Sequence, residues 1–258
     1  MPAKIVKICG IRKLDDAIAA IDAGADMLGV IMVPGRKRTV DHAEAKLIAE
    51  AALTSRFDKS RRFVSAKELN EYIASQSFAS FEDYLLAYRD LILKNGPFLT
   101  GVFRNQNPKT VFELAEELNL DFIQLHGSED PAEYMALNSE RKFGIVKRFV
   151  IPTQTASMTD FLKTLSDSKD MGFALPLLDS ELGGEGKPID WSLINDLQGS
   201  YILAGGLTPD NLISTKKYSD KIVGYDVSGG VEDENGEKVH DKIRLFVTEG
   251  KKIGIQSQ

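Results

Sequence analysis

The sequence predicts a (β/α)8 TIM barrel, and three observations carry that prediction. The chain has 258 residues, and an eight-stranded α/β barrel takes about 250. Short apolar, β-branched runs begin near Ile5, Leu28, Leu99, Asp121, Ile145, Phe173, Tyr201 and Ile222. Helical patterns lie between them, and every interval but one is roughly 21 to 28 residues, enough for a strand, a loop and a helix. Runs such as Leu28-Gly29-Val30-Ile31-Met32-Val33 also lack in/out alternation, which marks parallel strands covered on both faces. An open doubly wound sheet is the other way to arrange such units. It leaves two exposed edges and usually carries fewer of them.

Taken in order, the elements justify themselves locally. After the first two runs, Asp41 is placed to open a helix whose Ala45, Ile48 and Ala49 share one face. The exceptional interval, roughly 71 residues between the second and third runs, holds extra sequence over about 54–97. Within it Phe81, Tyr84, Leu85, Tyr88, Leu91 and Ile92 recur at helical spacing, so one or two inserted helices are expected in an otherwise single-domain chain, 1–258. Because the insertion follows a helix and precedes a strand, it belongs to the barrel's N-terminal face, opposite the face where function sits. Packing on the barrel floor is the plain reading, and a partner surface is the other. Beyond the third strand, Asn107 caps and Pro108 opens a helix that aligns Val111, Leu114, Ala115 and Leu118. Asp130-Pro131 opens the next, ahead of Tyr134 and Leu137.

Composition narrows the function classes. Thirty-two Lys and Arg against 38 Asp and Glu give a net charge of −6, with no electrostatic footprint for DNA or RNA, although a local site can still hold a small anion. No apolar stretch at the N-terminus is long enough for a signal peptide or a membrane span, so the expectation is a cytoplasmic protein with no membrane partner. The one cysteine, Cys9, excludes an internal disulfide and a Cys-based zinc site. It leaves a buried hydrophobe or a reactive thiol.

In a barrel the informative positions are the C-terminal ends of the strands. Cys9 ends the first strand beside Gly10, where a thiol at the cavity rim has the chemistry of a base, though free cysteines are commonly buried and inert. Asp179 ends the apolar run Phe173-Ala174-Leu175-Pro176-Leu177-Leu178. Burial there would raise a carboxyl pKa and let it donate a proton, and capping the next loop is its alternative use. Gly205-Gly206 and Ser228-Gly229-Gly230, after the seventh and eighth strands, offer unhindered backbone N–H groups where barrels commonly seat phosphate; glycine pairs also serve tight turns. Arg36, Lys37 and Arg38 concentrate positive charge after the second strand, either as a carboxylate fork or as a solvated loop face. His126 titrates near neutrality when unperturbed, but no acidic cluster at ligand spacing accompanies it, so no metal site is expected and a structural histidine is the plain reading. Gly183-Gly184-Glu185-Gly186-Lys187 departs from a nucleotide loop at Glu181 and Pro188.

These strand ends, in this order, resemble the phosphoribosylanthranilate isomerase family of tryptophan biosynthesis, with wording nearest the fungal form. The segments are Lys7-Ile8-Cys9-Gly10, Val33-Pro34 with Arg36-Lys37-Arg38-Thr39, Gly101-Val102-Phe103-Arg104-Asn105-Gln106, Gln124-Leu125-His126-Gly127, Leu178-Asp179-Ser180, Leu203-Ala204-Gly205-Gly206-Leu207-Thr208-Pro209 and Asp226-Val227-Ser228-Gly229-Gly230-Val231-Glu232. The resemblance implies a (β/α)8 barrel and an Amadori rearrangement of N-(5-phosphoribosyl)anthranilate to 1-(2-carboxyphenylamino)-1-deoxyribulose 5-phosphate. It implies Cys9 as general base, Asp179 as general acid, Arg38 on the anthranilate carboxylate, and Gly206, Ser228 and Gly229 at the phosphate, with Gly205 and Gly230 beside them. The partner is then a phosphorylated small molecule, no redox or metal cofactor is needed because only protons move, and a monomer is favoured over an oligomer. Three positions depart from the family pattern: Arg36 in the second loop, Glu185 in the sixth, and Lys238-Val239 where a Lys-Asp pair is usual. The first two are expected near the site and the third away from it. A related histidine-pathway isomerase would carry two strand-end carboxylates in place of Cys9 and Asp179. A silent phosphosugar-binding protein would lack an intact acid and base.

Overall fold

The computed structural model describes residues 3–167, 172–180 and 190–253. Eight parallel strands close into one barrel in sequence order: β1 (Ile5–Ile8), β2 (Met27–Ile31), β3 (Phe98–Phe103), β4 (Phe122–Leu125), β5 (Gly144–Val150), β6 (Phe173–Asp179), β7 (Tyr201–Leu203) and β8 (Ile222–Val227). The seam closes by pairing β1 with β8, in a register that sets Lys7 opposite Asp226. Each strand starts within one residue of the run that foretold it, because Val, Ile, Leu and Phe buried on both faces leave little freedom in where a strand begins.

The helices are α1 (Leu14–Ala23), α2 (His42–Asp58), α3 (Ala66–Ala74), α4 (Phe81–Asn95), α5 (Pro108–Glu117), α6 (Pro131–Leu137), α7 (Thr155–Asp167) and α8 (His240–Ile253). Their starts follow local chemistry. Asp41 accepts from the backbone of Ala43 at 2.8 Å, Asn107 from Lys109 at 3.0 Å and Asp130 from Ala132 at 2.9 Å, each satisfying an otherwise orphaned N–H. Leu137 does not join the stripe expected of α6: that helix stops there with Asn138 as its cap, and the side chain is exposed. The intervals after β6 and β7 carry short 3-10 helices, Trp191–Asp196 and Leu212–Tyr218, where the βα period led to α-helices. Asp190 in the first, and Thr208, Asn211 and Thr215 in the second, bond through their side chains to nearby backbone, compete with helical hydrogen bonds and cut helix propagation short. Among the described residues no helix is long and apolar enough to cross a membrane.

Helices α3 and α4 occupy the stretch between α2 and β3 and lie across the N-terminal ends of the strands. The Tyr84 hydroxyl donates to the carbonyl of Phe173, the first residue of β6. Tyr88 donates to Asn70 at 2.6 Å, and Asn70 donates in turn to the carbonyls of Arg141 and Phe143 at 2.9 and 3.0 Å, just ahead of β5. The Tyr88 ring meets Phe122, the first residue of β4, edge-on at 6.3 Å. Of the stripe on α4, Tyr84, Leu85, Tyr88 and Ile92 are buried and Phe81 and Leu91 pack half-buried against the same core. At the head of β3, Arg56 of α2 forks onto both Asp121 oxygens at 3.0 and 3.2 Å while stacking over Phe98 at 4.8 Å. These contacts lie on the barrel floor and leave the opposite mouth to the loops that follow the strands.

Candidate active site

The site grows from polar residues that interrupt otherwise apolar strands. Lys7 on β1 and Cys9, the residue just past its end, are two residues apart and share the inward face. The Lys7 ammonium donates to Gln124 Oε1 on β4 at 2.9 Å and to Asp226 Oδ2 on β8 at 3.0 Å. Burial works against this charge, but Asp226 and Cys9 beside it outweigh that, so Lys7 is held above the usual lysine range. Cys9 sits one layer nearer the mouth, its N–H bonded to the Val227 carbonyl at 2.7 Å. On its far side lies Gly29 of β2, where any Cβ would come within 2.7 Å of the sulfur, so glycine there makes the seat of the thiol. Burial pushes the Cys9 thiol up, and Lys7 pulls it the other way.

Asp179 ends β6 buried, as its apolar run implied, but it is not alone. Arg148 of β5 donates through Nε to Asp179 Oδ2 at 2.8 Å and through its other nitrogens to the carbonyls of His126 and Ser180, at 3.3 and 3.0 Å. The Ser180 N–H holds Oδ1 at 2.8 Å. The run is apolar as read, but the surroundings of the side chain are not: a buried guanidinium pairs with it. His126 lies 3.9 Å from the same carboxylate, yet burial, with Arg148 and Lys7 close by, pushes its pKa down to about 3. It is a neutral wall residue at pH 7, in keeping with a structural histidine.

The rim opposite is built from the loops after β2 and β8. Of the three basic residues after β2, Arg36 is exposed, Lys37 donates outward to the Asn235 carbonyl at 2.8 Å, and Arg38 alone turns in, donating to Glu232 Oε2 at 2.8 Å. The other Glu232 oxygen takes Lys238 at 3.0 Å, and Lys238 also donates to the Ser228 carbonyl at 2.9 Å. Lys238 was expected away from the site. The backbone between the two turns back on itself, bridging Glu232 to Lys238, and returns that side chain to the mouth.

Gly205 and Gly206 adopt φ of 83° and 66°, and Gly230 packs so closely that a Cβ would fall 1.9 Å from the Leu207 carbonyl oxygen. The loops after β7 and β8 therefore touch. Among the described residues nothing accepts from the N–H groups of Gly205, Gly206, Gly229 or Gly230, and the buried Ser228 hydroxyl has no partner. Only the three-residue 3-10 turn Gly229–Val231 follows β8 directly, so what these loops turn to the mouth is backbone N–H groups and a hydroxyl, with no full helix behind them. Glu185 and the Gly183-to-Lys187 run lie outside the described residues.

Sequence reasoning quoted Lys7, Gln124, Asp226 and Glu232 only as words in a motif and passed over Arg148. The signal was available: each of the first three is a polar residue inside an otherwise apolar strand, and Arg148 with Lys147 puts two charges inside the buried run Gly144–Val150.

The family model described as N-(5'-phosphoribosyl)anthranilate isomerase matches residues 58–249. A Candida albicans protein named N-(5'-phosphoribosyl)anthranilate isomerase is 45% identical over 247 residues, covering 96% of this chain and 97% of that one. The crystal structure of phosphoribosyl anthranilate isomerase from Thermus thermophilus superposes with a TM-score of 0.64 at 26% identity, covering 95% of this chain and 96% of its own. A phosphoribosyl anthranilate isomerase in complex with reduced 1-(o-carboxyphenylamino)-1-deoxyribulose 5-phosphate superposes with a TM-score of 0.63 at 25% identity, covering 96% and 99%. The chain belongs to the N-(5'-phosphoribosyl)anthranilate isomerase family.

Proposed function

We propose that this chain isomerises N-(5-phosphoribosyl)anthranilate to 1-(2-carboxyphenylamino)-1-deoxyribulose 5-phosphate in tryptophan biosynthesis, as an aldose–ketose isomerase working by general acid–base catalysis. The observation that carries the reading is one mouth lined by a buried thiol beside a lysine, a buried carboxylate beside an arginine, and an inward guanidinium at the rim. Asp179 supplies the proton to the ribose ring oxygen as the bond from that oxygen to C1′ breaks, its electron pair going to oxygen while the nitrogen lone pair forms C1′=N. Arg148 and the Ser180 N–H each use one lone pair of the carboxylate and leave the others for the proton. Cys9, as thiolate, then removes the C2′ proton, and the C2′–H electrons form C1′=C2′ while the C1′=N pair returns to nitrogen. The enol so formed loses its O–H proton and gains one at C1′, giving the ketone with protons and electrons balanced.

In this reading Arg38 takes the anthranilate carboxylate through the nitrogens that Glu232 leaves open, and the planar fork fits a planar acid. Gly205, Gly206, Ser228, Gly229 and Gly230 receive the phosphate. The enzyme acts as a cytoplasmic monomer whose residues 54–97 add to the barrel floor. The Tyr84 bond to the head of β6 and the Tyr88 bond to Asn70 support the floor placement. Following the loss of fluorescence of freshly made phosphoribosylanthranilate tests the whole. Wild type should turn it over, while Cys9→Ser and Asp179→Asn should bind it and lose at least about 10²-fold in kcat. Near-normal turnover in both variants would overturn the mechanism.

A further inference from the structure

Beneath the reacting groups lies a buried charge cluster that the acid–base scheme does not use. A lysine ammonium has three N–H donors. Two are fixed by Gln124 Oε1 at 2.9 Å and Asp226 Oδ2 at 3.0 Å, and Cys9, two residues on along the same inward face, is the other charge-bearing group that acts in favour of the ammonium. Gln124 is itself steadied by His126, 3.4 Å away. We propose that Lys7 is a positioning residue for the reaction, held by Gln124 and Asp226 so that its ammonium directs and stabilises the Cys9 sulfur as the anion that takes the C2′ proton. This rests on the reading of Cys9 as the base.

The surroundings of the sulfur leave that task to Lys7. From β1 comes Lys7, from β8 the opposing charge of Asp226, and from the segment after β8 Lys238, which is already tied to Glu232 and Ser228. Strand β2 contributes only Gly29. Asp179, paired with Arg148, acts on Asp226 from β6, and Arg38 acts on Lys238 from the rim. Burial disfavours a thiolate here, and Lys7 is the largest influence acting in its favour.

The chain has one cysteine, so alkylation by iodoacetamide, read by mass, reports on Cys9 alone. Lys7→Met should slow alkylation at about pH 8 by about tenfold or more, because the thiolate is the nucleophile. Lys7 also neutralises Asp226, and that role is separated by the double variant Lys7→Met/Asp226→Asn. It buries no unpaired charge and keeps side-chain volumes close to the originals. Alkylation should stay slow in the double variant and should speed up in Asp226→Asn. The acidic limb of the kcat/KM profile should move to higher pH in the double variant, with KM little changed. A double variant alkylated at the wild-type rate would overturn the proposal, since it would reduce Lys7 to a counter-ion for Asp226. Turnover is measured separately on the wild-type chain, so failure of the isomerase reading and failure of the Lys7 assignment give different results.

Discussion

Replacing Gly230 with alanine tests whether the loops after β7 and β8 form one seat for the phosphate. The new Cβ would lie 1.9 Å from the Leu207 carbonyl oxygen, 2.9 Å from its carbon and 3.2 Å from Thr208 Cα. Atoms of this kind settle at about 3.5 Å, so the two loops must part by roughly 1.6 Å. A misplacement near 1 Å in a preorganised site costs up to about 10²-fold, and overpacking costs about 1–3 kcal/mol in stability. Calorimetric titration of the phosphorylated product should therefore show affinity about 10- to 100-fold weaker, with thermal unfolding of the same samples confirming that the variant is folded. Gly24→Ala is the control. It is strained at φ 90° but has open space around it and caps α1 away from these loops. It should cost about 1 kcal/mol of stability and leave product affinity alone. A folded Gly230→Ala that binds product within about twofold of wild type would refute the shared phosphate seat.

Three further outcomes follow from the geometry. Arg38→Ala should raise KM for phosphoribosylanthranilate by about tenfold or more, as a charge-assisted bond to a carboxylate is worth about 1.5–3 kcal/mol, whereas Lys37→Ala should change it little because Lys37 turns outward; steady-state kinetics showing equal effects would argue for a diffuse basic loop. His126 has a folded pKa of about 3, below its unfolded value of about 6.5, so the unfolded chain binds the extra proton in that window and stability falls as pH drops from about 6.5 toward 3. Its contribution is about 1.4 kcal/mol per pH unit; urea unfolding at several pH values should show a shallower loss in His126→Gln, and superimposable slopes would contradict the assignment. Tyr88→Ala, on the floor, should cost about 3–5 kcal/mol while kcat/KM per folded molecule stays within a few-fold, and lost turnover in folded protein would show that the floor reaches the chemistry.

Strand positions were readable because two-sided burial leaves an almost unbroken apolar word, and helix starts because Asp41, Asn107 and Asp130 cap them through local bonds. Cys9, Asp179 and Arg38 stood out as chemical residue types at strand ends. What the sequence hid was pairing. Nothing in the run Gly144–Val150 says that Arg148 reaches the end of the neighbouring strand, and nothing in residues 232–238 says that the chain turns back to return Lys238 to Glu232. Those contacts depend on barrel closure, which joins residues far apart in the chain, as Lys7 joins Asp226 across the seam. The short 3-10 helices after β6 and β7 escaped for a different reason: periodicity reports that a segment crosses from strand to strand, while Asn, Asp, Ser and Thr decide how tightly it coils on the way.

The placement of α3 and α4 has a consequence for how this protein can change over time. Their hydrogen bonds and ring contacts end on Phe122, Phe143 and Phe173, at the opposite end of the strands from Cys9 and Asp179. A strand the length of β3, six residues, spans about 20 Å. Substitutions on the floor are thus insulated from the reacting atoms by the stiffest part of the molecule. Thermostabilising changes can accumulate there without the usual penalty on activity, and lineages can drift at that end while the mouth stays fixed. Directed evolution of a new substrate preference would do well to harden the floor first, so that the loops have stability in reserve.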